Sequence, residues 1–282
     1  MIFWIVSYPK NGNTWLRTLL SAYYFTKDGF FLNDSLLNNI NQFPEKKYFT
    51  EFKYNLKLPG DTSRLWIKAQ DKINSDKKIR FFKTHNFLGS IGGNQFTNIK
   101  NTIGSVYIVR DPRNVITSLK NHFELDYKSA LDFMLNEKKF TYDHFKGEDY
   151  SDFQFISSWE KNYQSWKYNK FFPNKFIKYE NLMSETFFVF KDLINFIDKV
   201  SNNKDEFNKQ KAQNAIESTT FLKMKNLEKN KGFSESITSR KSEKQIPFFH
   251  LGPKNDWKKN LNDELKKKLN SIFQKNLVEL DY

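Results

Sequence analysis

The stretch from Met1 to Trp15 constrains the fold more than any other. Ile2-Phe3-Trp4-Ile5-Val6 is short, β-branched and aromatic, and it runs into Tyr8-Pro9, the pattern of a buried strand. Pro9, Asn11, Gly12 and Asn13 supply turn chemistry. From Thr14 to Tyr24, apolar residues recur at helical spacing as Trp15, Leu19, Leu20 and Tyr23. A polar loop therefore carries the chain from a strand end to a helix N-terminus. Free backbone N–H groups and the positive end of the helix dipole attract an anion there, and Lys10 adds a full charge. In the ordinary phosphate loop the lysine follows the glycines as Gly-Lys-Ser/Thr; here Lys10 precedes Gly12, which points to a nucleotide-type donor other than ATP.

Two further segments repeat the strand-then-polar-end design. Ser105-Val106-Tyr107-Ile108-Val109-Arg110 reads as a buried strand that turns at Asp111-Pro112, with proline well suited to the first helical position. Arg110 then stands at the strand's carboxyl end and Ser118 about two turns into the next helix. Carboxyl ends of parallel strands are where α/β sheets bind ligands. Arg80-Phe81-Phe82-Lys83-Thr84-His85 is a short strand ending in a histidine, and an imidazole titrating near pH 6.5 can accept a hydroxyl proton at neutral pH. His122, His144 and His250 are read as hydrogen-bonded core or surface residues.

In this order the segments resemble the PAPS-dependent sulfotransferases, whose donor is 3'-phosphoadenosine 5'-phosphosulfate. Tyr8, Pro9, Lys10, Gly12, Thr14 and Trp15 match the family loop Tyr-Pro-Lys-Ser-Gly-Thr-Thr-Trp, with Asn11 and Asn13 at its variable positions. The resemblance implies that Lys10, Asn11, Gly12, Asn13, Thr14 and Trp15 hold the 5'-phosphosulfate. Arg110 and Ser118 match the 3'-phosphate signature Tyr-x-x-Arg-Asn-Pro-x-Asp-Val-x-x-Ser, with its Asn and Asp exchanged for Asp111 and Asn114. Lys83-Thr84-His85 matches the catalytic triplet, which makes His85 the expected general base and Lys83 its helper at the sulfuryl oxygens. Lys10 is expected to follow the charge on the leaving oxygen, and Ser118 to hold Lys10 back until acceptor binds. Lys175 to Leu182 is similar to the Tyr-Glu-Asp-Leu strand end, which sets Tyr179 toward the adenine. Ser218 to Met224 is similar to Thr-Ser-Phe-x-x-Met, so Thr220, Phe221 and Met224 join the donor site, with Trp15 and Phe221 as the two sides of an aromatic sandwich.

The last family element departs from its pattern. Where Arg-Lys-Gly-x-x-Gly-Asp-Trp-Lys is usual, this chain has His250-Leu251-Gly252-Pro253-Lys254-Asn255-Asp256-Trp257-Lys258. Gly252 is retained, but His250 and Leu251 replace the basic pair at the 3'-phosphate. Lys254, Lys244 or the pair Arg240-Lys241 can supply charge from the same segment, and His250 can donate a hydrogen bond.

Strands are expected near 2–7, 79–84, 105–110 and 175–179, with another at Leu65-Trp66-Ile67. Helices are expected near 14–26, 112–122, 152–169, 185–199, 205–216 and 261–275. This alternation implies an α/β fold with a mainly parallel central sheet flanked by helices. The family fold it matches is a P-loop-kinase-like three-layer sandwich. The motifs run almost end to end, so residues 1–282 are expected to form one sulfotransferase domain. By position, 28–64 and 123–150 are expected to line the acceptor side, and the polar stretch 229–256 to form a lid.

The chain has no cysteine, which excludes disulfides and thiolate metal sites. No run approaches the roughly 18 apolar residues of a membrane span, and Ile2 to Val6 is too short for a signal-peptide core, so a cytoplasmic location is expected. The net charge of +14 comes mostly from lysines spread along the chain. They are read first as a solvated lysine surface and second as a field that steers an anionic donor or acceptor into the cleft; with no zinc-finger, RNP-like or basic-zipper pattern, nucleic-acid binding is the weaker reading. The resemblance implies PAPS as donor, PAP as product and no metal. The expected partner is a small-molecule or glycan acceptor bearing a hydroxyl or amine, and the Lys/Asn bias leans toward a bacterial enzyme of secondary metabolism. The oligomeric state stays open, a homodimer included. Two rival readings are a P-loop nucleotide kinase and a catalytically lapsed PAP-binding protein.

Overall fold

The computed structural model describes residues 1–142, 147–239 and 242–282. β1 (Ile2–Ser7) is buried along its whole length and leads into α1 (Asn13–Phe25). β2 (Asn41–Gln42), α2 (Trp66–Ile73), β3 (Arg80–Thr84), the hairpin β4 (Ser90–Ile91) and β5 (Asn94–Gln95), β6 (Thr102–Val109), α3 (Pro112–His122) and α4 (Tyr127–Leu135) follow. Next come β7 (Phe140–Thr141), its partner β8 (Gln154–Phe155), α5 (Trp159–Lys167), β9 (Asn174–Lys178), α6 (Tyr179–Ser184) and α7 (Thr186–Ser201). The chain closes with α8 (Lys209–Ser218), α9 (Phe221–Lys231), the hairpin β10 (Ile237–Thr238) and β11 (Gln245–Ile246), α10 (Trp257–Asn260), α11 (Asp263–Ile272) and α12 (Gln274–Glu279).

The central sheet has the order β2-β3-β1-β6-β9, and every pairing in it is parallel. Alternation along β1 shows why helices cover both faces. Ile2, Trp4 and Val6 pack into one core with Trp66, Trp159 and Trp166, while Phe3 and Ile5 pack into another with Leu16, Leu20, Phe190 and Ile194. The register pairs Val6 with Thr84, Ser7 with Ile108 and Val109 with Lys178. The carboxyl ends of β1, β3, β6 and β9 therefore lie side by side, and the segments that leave them begin at one edge.

The three-layer α/β arrangement agrees with the sequence, but several elements differ from expectation. Leu65-Trp66-Ile67 is not a strand: it spans the end of a 3-10 turn and the start of α2. Trp66, Ala69 and Gln70 are buried at helical spacing, which overrides the β-propensity of Trp and Ile. The fifth strand is instead the two-residue β2, too short to leave a periodic signal. The helix expected over 152–169 begins only at Trp159, where the Ser158 hydroxyl caps it by accepting from the Lys161 N–H, and Gln154–Phe155 before it is a strand. The helix expected over 261–275 breaks at Phe273, which ends α11 and caps α12.

Candidate active site

The loop after β1 is shaped by backbone conformations that few residues accept. Gly12 has φ 100°, and a Cβ there would lie 2.5 Å from Cδ2 of Tyr179, so only glycine lets the loop pass this close. Lys10 also sits in the left-handed region, at φ 68°, and Asn13 Nδ2 donates to the Ile5 carbonyl at 3.2 Å. Gly12 is the N-cap of α1 and has no side chain to satisfy the first-turn N–H groups, which are left to a ligand.

Lys10 lies with Nζ 3.9 Å from the ring centre of Phe248. Burial lowers its pKa from 10.5 to about 8, against the opposing pull of the Glu235 carboxylate.

His85 follows β3 and is held on all sides. Its Nδ1 lies 2.7 Å from the Ser7 carbonyl, an acceptor-only group, so Nδ1 carries the proton and Nε2 is left as the basic nitrogen. The His85 backbone N–H donates to Gln154 Oε1 at 2.8 Å, and Asn162 Nδ2 donates to the His85 carbonyl at 2.9 Å. Burial, then the charge of Lys83, push its pKa down to about 3, so the imidazole is neutral throughout the physiological range.

Arg110 and Ser118 meet as their spacing implies, with Arg110 Nη1 donating to Ser118 Oγ at 3.4 Å. The guanidinium also lies over the Tyr179 ring, 4.3 Å from its centre, and Trp15 meets the same tyrosine edge-on. Asn255, at the second glycine position of the altered motif, donates through Nδ2 to Ser118 Oγ at 3.1 Å and to the Asn114 carbonyl at 2.9 Å. Thr220, Phe221, Met224, His250, Leu251 and Gly252 line the same cleft. A Cβ on Gly252, at φ 54°, would lie 2.3 Å from the Phe221 ring.

Lys244 and Lys254 are exposed and do not line the cleft. Arg240 and Lys241 lie outside the described residues, as does His144. A cation that touches the altered motif is Lys225 of α9, whose Nζ donates to the His250 carbonyl at 3.4 Å.

These residues surround a cleft of about 760 Å³. Of the residues that the motif matches place at the site, Asn11 alone is set back from the cleft, buried within the loop. Gln42 and Glu45 reach the cleft from 28–64, Phe123, Thr141 and Tyr142 from 123–150, and Ser234 to Ile237 with Phe248 and Phe249 from 229–256. His122 corrects its earlier reading: it lines the cleft, with Phe123 and Phe248 edge-on against it, because α3 carries it one turn beyond Ser118.

The largest omission is Glu235. Its carboxylate accepts from Thr14 Oγ1 at 2.5 Å, Arg17 Nη1 at 2.5 Å and Lys83 Nζ at 2.7 Å. Burial alone would raise its pKa, but the charges of Lys83 and Arg17 outweigh that and hold it well below the usual carboxylate range. Nothing local in the sequence marks Glu235. Arg17 is the available clue, since an arginine buried on an apolar helix face needs a carboxylate partner.

The cleft suits a large anion. Arg110 Nε and Thr117 Oγ1 are buried donors without a partner among the described residues. Lys10, Lys83 and Arg110 all contribute to its lining. No described helix is long and apolar enough to cross a membrane.

Comparison with known proteins agrees with this arrangement. The flavonol 3-sulfotransferase of Flaveria bidentis is 26% identical over 283 residues, covering 97% of this chain and 80% of that protein. The luciferin sulfotransferase of Photinus pyralis is 24% identical over 286 residues, covering 97% and 70%. Among solved structures, mouse sulfotransferase SULT7A1 complexed with PAP superposes with a TM-score of 0.56 at 17% identity, covering 98% of this chain and 83% of that one. Retinol dehydratase in a complex with retinol and PAP gives 0.54 at 16%, covering 98% and 81%. The sulfotransferase domain family matches residues 2–281, and the chain therefore belongs to the sulfotransferases.

Proposed function

We propose that this chain, acting as one domain over residues 1–282, moves a sulfuryl group from PAPS to a hydroxyl or amine of a small molecule or glycan, with His85 as the general base. The observation that carries the reading is the orientation of His85. Its Nδ1 proton is committed to the Ser7 carbonyl, so Nε2 is the free base in a cleft that also holds the Lys10 loop and the Arg110–Ser118 pair.

PAPS supplies the sulfuryl group, and its product PAP carries away the bridging oxygen. The rest is the work of this chain. The first-turn amides of α1 with Thr14 and Lys10 hold the 5' end, and Arg110 with Ser118 holds the 3'-phosphate, where Asn255 fixes the serine hydroxyl. Trp15, Tyr179 and Phe221 enclose the adenine. His85 Nε2 takes the acceptor's proton as the new bond to sulfur forms, and Lys10 offsets the negative charge on the departing oxygen. Lys10 Nζ lies over the Phe248 ring, while Ser118 is engaged by Arg110 and Asn255.

The aromatic lining from Phe123 and Tyr142, together with relatives named for a flavonol and a luciferin, favours a small organic hydroxyl as the acceptor.

Thermal unfolding with PAP, with AMP and with ATP plus magnesium tests the donor. A ligand at a hundred times its Kd adds about 2.7 kcal/mol of stability. Stabilisation by PAP but not by ATP with magnesium is expected. The reverse would move the chain to the kinase reading, and no stabilisation by any of the three would refute the donor site.

A further inference from the structure

The carboxylate of Glu235 joins three parts of the cleft that are far apart in the chain. Oε1 accepts from both Arg17 of α1 and Lys83 of β3, and Oε2 accepts from Thr14 in the first turn of α1. Arg17 is itself fixed, since Nη2 donates to the carbonyls of Ile40 at 2.9 Å and Leu37 at 3.3 Å. The oxygen that Lys83 uses is thus anchored on a rigid helix. We infer that Glu235 is a positioning residue: it holds the Lys83 ammonium beside His85 and keeps it charged, and it ties the segment carrying it to the donor loop. Its importance for transfer rests on the donor reading above, whereas its action on Lys83 does not.

Lys83 needs such a partner. Its cationic neighbours are Arg17 and Lys10, with the neutral imidazoles of His85 and His122 beside them, and burial disfavours its charged form. The opposing anions are Glu235, by direct contact, and Glu45 from the segment after β2. The two sides leave Lys83 with a pKa below its ordinary value, lowered first by burial and restored in part by Glu235. Without the carboxylate, an ammonium in this setting releases its proton more readily. A neutral amine would no longer attract the oxygens of a sulfuryl group.

The test is a pH titration of Lys83 by trace acetylation with acetic anhydride, read by peptide mass spectrometry, in the unaltered chain and two variants. Glu235→Gln keeps the shape of the side chain and removes its charge. Arg17→Met removes the competing cation and leaves Lys83 as the charged donor to Glu235, beside the Thr14 hydroxyl. Glu235→Gln is expected to lower the Lys83 labelling midpoint by about one pH unit, which is roughly tenfold in its acidity. Arg17→Met is expected to raise it. A merely structural role would move both midpoints the same way or neither, and either result would overturn the proposal. Melting curves establish that each variant is folded, and either one alone decides the direction. If PAP binds Glu235→Gln more than about tenfold more tightly than the unaltered chain, Glu235 competes with the donor, and the inference fails. Failure of PAP to bind the unaltered chain would count against the donor reading only, because the acetylation titration contains no nucleotide.

Discussion

Lys10 is a charge that the fold holds at the edge of losing its proton. In the free protein its pKa is about 8, lowered by burial against the pull of Glu235. On the proposed donor site a bound PAP brings a phosphate to this loop, and a neighbouring anion restores the ammonium toward its ordinary value of 10.5. A lysine whose pKa rises on binding favours the complex fully below the free value and progressively less as pH climbs through it. PAP affinity should therefore be level from pH 7 to about 8 and then fall about tenfold per unit. The ceiling on the loss, if the ordinary value is fully regained, is about 300-fold, or on the order of 3 kcal/mol. Titration calorimetry at pH 7, 8, 9 and 10 and constant ionic strength reads this directly, because phosphate groups with a second pKa near 6 are already ionised there. Lys10→Met keeps an apolar stem against Phe248 and should bind more weakly at pH 7 with most of the slope gone. Lys83, also lowered by burial, supplies a shallower residue of it. A PAP affinity constant to within about twofold between pH 7 and 10 would refute the placement of a lowered lysine at the phosphate.

Two other substitutions separate chemistry from binding. His85→Ala removes the proposed base from a cleft that keeps its proposed donor contacts, so PAP release with 4-nitrophenol as acceptor should fall about 100- to 10,000-fold while PAP affinity stays within a few fold; substantial remaining turnover would remove His85 from the mechanism. Gly252→Ala adds a Cβ 2.3 Å from the Phe221 ring at a left-handed φ, forcing the ring back by about 1 Å at a conformational cost of about 1–2 kcal/mol. Calorimetry should show PAP affinity down by about tenfold or more, and an unchanged affinity would mean that Phe221 does not flank the adenine.

The geometry of the loop after β1 could be read from the sequence because its determinants are local. A buried strand, a glycine with positive φ and an uncapped helix start lie within a few residues of one another, and each leaves its own signal in Ile2 to Trp15. The same holds for Arg110 and Ser118, whose meeting depends only on a strand end and two turns of helix. His85 was legible as a strand-end histidine. Its tautomer was not, because Ser7, which fixes it, arrives from the neighbouring strand.

Tertiary structure alone decided the rest. Parallel pairing in the order β2-β3-β1-β6-β9 brings segments nearly a hundred residues apart to one edge, and no local pattern encodes that order. Glu235 looked like one more acidic residue in a polar stretch, yet the folded chain closes it onto Thr14, Arg17 and Lys83. Asn255 stands where the family motif has its second glycine, and the fold uses it to hold Ser118. Local chemistry specifies strands, turns and the groups they carry. Which distant charges neutralise one another is settled only when burial makes an unpaired charge too costly to keep.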